Sequence, residues 1–140
     1  MKKIIGIVII VIVLGIGYYT ISPFFRNVSL DETAPESTEV QSAEIIDTPT
    51  HPASGTVRII EGVDGETIIR YENFKTINGP NLHVYLAKDL DAKEFVDLGP
   101  IRGTEGNINY VVPEDIDITE YSYVMYWCVP FSVLFNYAEI

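Results

Sequence analysis

The chain has 140 residues, a formal net charge of −11 at pH 7 and a single cysteine. That length accommodates one domain of ordinary size. The charge excludes a nucleic-acid-binding domain, because a phosphate backbone requires clustered Lys and Arg. A lone cysteine excludes an intramolecular disulfide and a cysteine-rich metal site.

An uncharged apolar segment comes first. Residues 4–21 read IIGIVIIVIVLGIGYYTI, and an aromatic stretch extends the segment to residue 25. This is long enough to cross about 30 Å of hydrocarbon. Lys2 and Lys3 precede it, so the positive-inside rule predicts a single-pass anchor in the bilayer, with residues 1–3 cytoplasmic and the C-terminal part extracytoplasmic. A cleaved signal peptide is the alternative.

A polar, acidic stretch follows over residues 26–49. It is rich in Ser, Thr, Glu and Pro, and it carries no basic residue after Arg26. Low hydrophobicity with charge of one sign does not offset the entropy of ordering. The stretch is therefore predicted to be a disordered linker that self-repulsion keeps extended.

Residues 50–140 show a periodicity of two, which is typical of strands. Two β-rich runs, 56–61 and 66–72, flank Asp64-Gly65, which predicts a hairpin. Residues 82–87 alternate with Leu82, Val84 and Leu86 on one face, and they follow the turn-forming residues 78–81.

Further strands are predicted at 95–98, 108–112 and 131–139. Residues 121–129 are apolar on both faces and are predicted to form a central strand that ends at Pro130. The fold class that follows is all-β: an antiparallel β-sandwich or barrel of about seven to nine short strands, preceded by one transmembrane helix.

The order and spacing of these segments over residues 51–140 resemble the DM-13 domain, a small extracellular module. The resemblance is carried by residues 51–57, Phe74, residues 79–86, Leu98, Gly103, Gly106, residues 109–113, residues 118–121, and residues 124–131 with Phe135 and Ala138. It implies a β-sandwich-like fold and an electron-transfer role centred on the cysteine, which acts as a bare thiol or as the ligand of a prosthetic group. Asn81 departs from the Asp that is common in the family.

Cys128 is accordingly the candidate redox residue. By alternation it shares one strand face with Val124 and Tyr126, and its thiol is sheltered if that face packs inward. A lone cysteine on an apolar strand is also often a small buried hydrophobe, so an inert Cys128 is the competing interpretation.

The only histidines, His51 and His83, are weak candidates for binding a cofactor. A cap or turn role for His51 and a surface role for His83 are the alternatives. Haem, held by the Cys128 thiolate alone, and no prosthetic group at all both remain open. Zinc is excluded, because one Cys and two His do not make a structural site, and a blue-copper site lacks its usual ligands.

Two functions follow from these observations. The first is an extracytoplasmic redox module in which Cys128 carries electrons at the outer face of the membrane, with other cell-surface or redox proteins as partners. The second is a non-catalytic ectodomain for adhesion or docking, with Cys128 buried and inert. The sequence contains no nucleophile elbow and no phosphate loop, so a self-contained enzyme is disfavoured.

Overall fold

The computed structural model describes residues 1–22 and 26–140. Helix α1, Lys2–Ile21, has 20 residues, which gives a length of about 30 Å, enough to cross a bilayer. Its apolar side chains pack against no other part of the described chain. The helix therefore fits a membrane anchor, and a signal sequence has the same properties. Pro23, Phe24 and Phe25, which the predicted anchor includes, lie outside the described residues.

The rest of the described chain is mostly β, in two five-stranded sheets. The strands are β1 (Ser29–Asp31), β2 (Ser37–Glu44), β3 (Ile46–Asp47), β4 (Ala53–Gly62), β5 (Thr67–Thr76), β6 (Leu82–Ala87), β7 (Phe95–Pro100), β8 (Glu105–Val111), β9 (Tyr123–Cys128) and β10 (Val133–Glu139), with a 3₁₀ turn at Ile118–Glu120. One sheet has the order β1-β8-β5-β4-β2 and the other the order β3-β10-β9-β6-β7. All neighbours are antiparallel except β1 and β8. The predicted sandwich is confirmed.

The core lies between the two sheets because the alternating strands turn their apolar residues inward. Its fully buried members come from six strands and include Val57, Ile69, Tyr71, Phe74, Leu82, Val84, Leu86, Ile108, Val124, Tyr126, Cys128 and Phe135. Strand β9 is the central strand of its sheet, as predicted. Its outer face is also covered, since Met125 and Trp127 pack with Tyr85 in a second apolar cluster.

The predicted hairpin is present as β4 and β5, with Ile60 opposite Ile68 and Glu61 opposite Thr67. The remaining predicted strands correspond to β6 to β10, with ends that differ by a few residues. Residues 50–140 thus contain seven of the ten described strands, which agrees with the seven to nine expected for this part.

The structure differs from the predicted disordered linker over residues 26–49. β1 pairs with β8, β2 pairs with β4 from Ser37 to Glu44, and β3 pairs with β10. These are edge strands, which are ordered by backbone hydrogen bonds to a finished sheet and do not need an apolar stripe of their own. Composition alone therefore does not reveal them.

Polar contacts also fix the segment that follows β1. The Glu32 carboxylate accepts hydrogen bonds from the Arg102 guanidinium and from the Asn109 N–H, the latter at 2.7 Å. The Arg70 Nη1 donates to the Glu32 carbonyl oxygen at 3.0 Å. Burial acts to raise the pKa of Glu32, but these hydrogen bonds and the charges of Arg102 and Arg70 outweigh it and lower that pKa. Glu32 therefore stays ionised and holds the segment on the sheet.

The sandwich has two ends that differ in composition. The cysteine end consists of loops 48–52, 77–81, 101–104 and 129–132, and the acidic end consists of loops 63–66, 88–94 and 112–122. Strand β9 runs from the acidic end to the cysteine end, where it finishes at Cys128. Helix α1 is connected to the cysteine end, because the chain enters β1 beside Thr104.

Candidate functional site

Cys128 is the last residue of β9 and faces the core. It pairs with Leu82 on one neighbouring strand and with Val133 on the other. Only 1% of its surface is exposed, so the sheltered arrangement anticipated for an inward-facing thiol is the one observed. The cysteine is free, as the count of cysteines requires.

Loop 77–81, called the covering loop below, closes over the sulfur. The Cys128 Sγ donates a hydrogen bond to the Pro80 carbonyl oxygen at 3.3 Å. The Val129 N–H donates to the Asn81 carbonyl oxygen at 3.2 Å, and Asn81 adopts a positive φ of 48°, a conformation that Asn tolerates well. The covering loop thus contributes to the shielding of the sulfur at this end of the sandwich.

The covering loop rests on the ring of Phe135. A Cβ added at Gly79 would lie 2.6 Å from the Phe135 Cζ, so only glycine allows this approach. Asn78 stabilises the loop from within, since its side-chain oxygen accepts the Gly79 N–H at 2.8 Å. The packing of Gly79 on Phe135 therefore fixes the position of the covering loop.

The environment keeps Cys128 protonated. Burial raises the pKa of the thiol, and a hydrogen bond from the Phe131 backbone N–H opposes that effect only in part. Because the thiolate is the nucleophilic and metal-binding form, the closed site has low reactivity. Because the sulfur is buried, chemistry there requires the segments that cover it, such as the covering loop, to move.

His51 lies at the same end and also packs against Phe135. The two rings stack with centroids 3.9 Å apart. The Thr48 hydroxyl donates to the Phe135 carbonyl oxygen, so the contact of 2.9 Å between His51 Nδ1 and Thr48 Oγ1 assigns the ring proton to Nδ1. Burial lowers the pKa of His51, which makes it a neutral packing residue.

His83 lies elsewhere, on the outer face of its sheet. Its Nδ1 donates to the Asp97 carboxylate at 2.8 Å, and its Nε2 is 3.3 Å from the Asn81 side-chain oxygen. Alternation along β6 directs His83 away from Leu82, the residue that pairs with Cys128. The structure therefore brings His51 and Cys128 to one end, whereas His83 touches the covering loop only through the Asn81 side chain, on the outer face of the sheet.

The closed site does not fit haem. The neutral sulfur is hydrogen-bonded to Pro80, and the cleft between the covering loop and loop 101–104, which Cys128 does not line, has a volume of only about 210 Å³, below the range usual for larger ligands. Over residues 1–22 and 26–140, no group of three His, Cys, Asp or Glu side chains is arranged to hold a metal ion.

Sequence reasoning did not recognise the function of the covering loop. Residues 78–81 were predicted to form a turn and residues 131–139 a strand, but the packing of Gly79 on Phe135 was not predicted. The hydrogen bond between Cys128 and Pro80 joins residues that are 48 positions apart in the sequence. The usable signal was the Gly-Pro pair directly before an apolar strand.

The fold and the site together define a class of protein: a small β-sandwich module with a single sheltered thiol, behind an apolar N-terminal helix. A family model described as "Electron transfer DM13" matches residues 45–140, and the chain belongs to that family. The expected resemblance is confirmed, and its extent now includes β3. No curated protein and no solved structure matches the chain.

Proposed function

We propose that this protein is a membrane-anchored electron-transfer module outside the cytoplasm, with the Cys128 thiol as its redox group. The family match and the apolar helix support the general statement. The observation that supports the redox role of Cys128 is the position of the thiol, which lies at the end of a strand and is hydrogen-bonded to the covering loop.

The chemistry available to a single thiol is exchange with a disulfide. When the covering loop opens, Cys128 loses its proton to water and attacks one sulfur of a disulfide-bearing envelope protein. A new S–S bond forms, the S–S bond of the partner breaks, and the second sulfur leaves with the electron pair as a thiolate. Cys128 is oxidised and the partner is reduced, so no prosthetic group is required.

The proposed orientation follows from charge. Lys2 and Lys3 flank α1 on the side predicted to be cytoplasmic, which leaves the β-sandwich on the outer face of the membrane. Partners that exchange electrons with it would then be other envelope proteins. Protease treatment of intact cells from outside tests this orientation. Separation of lysed cells into membrane and soluble fractions tests the anchor.

A docking or adhesion module is the second candidate, and the burial of Cys128 favours it. A thiol that is 1% exposed and has a raised pKa behaves as a small core residue if the covering loop never opens. The two functions therefore differ in whether the loop opens while the rest of the domain stays folded.

Thiol labelling of the full chain in nanodiscs distinguishes the two candidates. The rate of Cys128 alkylation is measured at rising urea concentrations below the unfolding transition. The reference is a Cys128→Ala, Val63→Cys double variant, whose thiol lies at the exposed hairpin tip. For the redox module we expect Cys128 to react roughly a hundredfold more slowly than the reference, which corresponds to a local opening of about 3 kcal/mol, with little dependence on urea.

An inert Cys128 would show a different dependence of its alkylation rate on urea. If Cys128 reacts only through global unfolding, its rate rises with urea along the full slope of the unfolding transition. That result would remove the redox function and leave the docking module. A visible absorption band in the purified chain would instead contradict the bare thiol.

A further inference from the structure

We propose that the cysteine end of the sandwich rests on the outer surface of the bilayer, with Phe131 in the headgroup region. The inference depends on α1 being retained as the membrane anchor, as proposed above. This contact of the cysteine end with the membrane, called the seat below, holds the domain at a fixed position. A disordered linker over residues 26–49 would instead let the domain move away from the bilayer. The partner surface is lipid.

Chain length places this end beside the membrane. α1 ends at Ile21, and by residue 26 the chain is already bound to the domain, since Asn78 Nδ2 donates to the Arg26 carbonyl oxygen at 3.0 Å. The four residue steps from Ser22 to Arg26 span at most about 14 Å when fully extended. Because Asn78 is hydrogen-bonded to Arg26, the covering loop lies near the end of the helix.

A second set of hydrogen bonds secures the same junction. The Val28 N–H donates to the Thr104 hydroxyl at 2.9 Å, and the Thr104 N–H donates to the Val28 carbonyl oxygen at 2.8 Å. A cleft of about 400 Å³ is lined by Tyr18 and Tyr19 from α1 and by Asn78 and Pro80 from the covering loop. The end of the helix and the covering loop thus border the same space.

The charges of the two ends fit this orientation. Loops 48–52, 77–81, 101–104 and 129–132 contain no Asp or Glu, and their one charged residue is Arg102. Loops 63–66, 88–94 and 112–122 at the acidic end carry nine Asp and Glu against two Lys. Anionic lipid headgroups repel the second set of loops and do not repel the first.

An apolar side chain projects from the end that faces the membrane. Phe131 lies in the turn between β9 and β10, follows Pro130, and is 60% exposed. An exposed aromatic ring at the headgroup level is stabilised there, whereas in water it is not. Because this turn follows Cys128 directly, the redox sulfur lies close to the lipid surface.

A fluorescence experiment on the full chain in liposomes tests the seat. An environment-sensitive NBD probe is attached at Phe131→Cys, and a matched probe at Val63→Cys, both in a Cys128→Ala background. Val63 is a suitable control because it is an apolar, 78% exposed residue at the acidic end. Lipids with a spin label at the headgroup should quench the probe at 131 about twofold or more and leave the probe at 63 unchanged, because only interfacial groups approach the label.

The outcomes separate the seat from the anchor. Flotation of the protein with the liposomes and equal, negligible quenching at both positions would overturn the seat while leaving the anchor intact. Failure to float would overturn the anchor and, with it, the seat.

A measurement without substitutions covers the possibility that the Cys128→Ala background disturbs the fold. The unaltered chain is photo-crosslinked to lipids that carry a diazirine near the headgroup, and the modified peptides are mapped by mass spectrometry. Modification of residues 129–132 but not of 63–66 supports the seat. The reverse pattern, or equal modification, contradicts it.

Discussion

The two ends of the sandwich are built differently although the same strands connect them. At the cysteine end the loops are short, lack carboxylates, and pack against one another through Phe135, Gly79 and Pro80. At the acidic end the loops are longer, highly charged and exposed, and Asp89 and Asp117 are satisfied mainly within their own loops. A domain can thus confine its candidate chemistry to one end and reserve the other for solubility and repulsion.

The difference lies in how much each end depends on tertiary packing. Local hydrogen bonds at the acidic end form within a few residues, so substitutions there have local effects. The cysteine end depends on contacts between distant segments, so substitutions there affect both stability and access to the sulfur. Variants that change one end and leave the other intact test this contrast.

The largest effect is expected for Phe135→Ala. The buried ring supports Gly79 and stacks on His51, so its removal leaves a cavity beneath the covering loop. A loss of about 3–5 kcal/mol in the free energy of unfolding is expected, with faster alkylation of Cys128. Urea denaturation and thiol labelling measure the two effects. Val112→Ala, a core truncation at the acidic end, should destabilise the domain without opening the loop.

Gly79→Ala is expected to have a smaller effect on stability but a selective effect on the thiol. The added methyl group collides with the Phe135 ring and displaces the covering loop, at a cost of about 1–3 kcal/mol. The rate of Cys128 alkylation should rise at least about tenfold, since 1.4 kcal/mol of loop opening corresponds to that factor. Gly62→Ala is the control, because its Cβ would make only ordinary contacts at the acidic end. Equal labelling rates in both variants would show that the loop does not govern access.

The smallest effect is expected for Glu32→Gln. The free energy of unfolding should fall by about 1 kcal/mol, because a charged hydrogen bond in a partly exposed site is lost. Because the pKa of Glu32 is lowered in the folded state, its contribution is complete above the ordinary value of 4.5 and is lost as the pH falls through the folded value. The stability difference between wild type and variant should therefore shrink below pH 4.5. Glu114→Gln at the acidic end is the matched control for the loss of one negative charge.

The period-two pattern of apolar residues predicted the strands whose own side chains are buried in the core. β9 was recognised because Val124, Tyr126 and Cys128 alternate with apolar residues that are buried on the opposite face. β1 and β2 were missed because edge strands acquire order from the sheet they join, through backbone groups that composition does not encode.

The candidate site was only half predictable for a related reason. Cys128 is conspicuous as the one cysteine, and its inward orientation follows from alternation. Its cover depends on the approach of Gly79 to Phe135 and of Pro80 to the sulfur, and only the folded chain brings these residues together.

Electron exchange by the full chain in nanodiscs, compared between wild type and Cys128→Ala, tests the redox role of the sulfur most directly. Both proteins are equilibrated with graded mixtures of a small monothiol and its disulfide, and the mass of the protein reports the oxidised fraction. We expect wild type to form a mixed disulfide that excess reductant removes, and the alanine variant to remain unmodified. A folded wild-type chain that stays reduced across the whole series would contradict an electron-transfer function centred on Cys128.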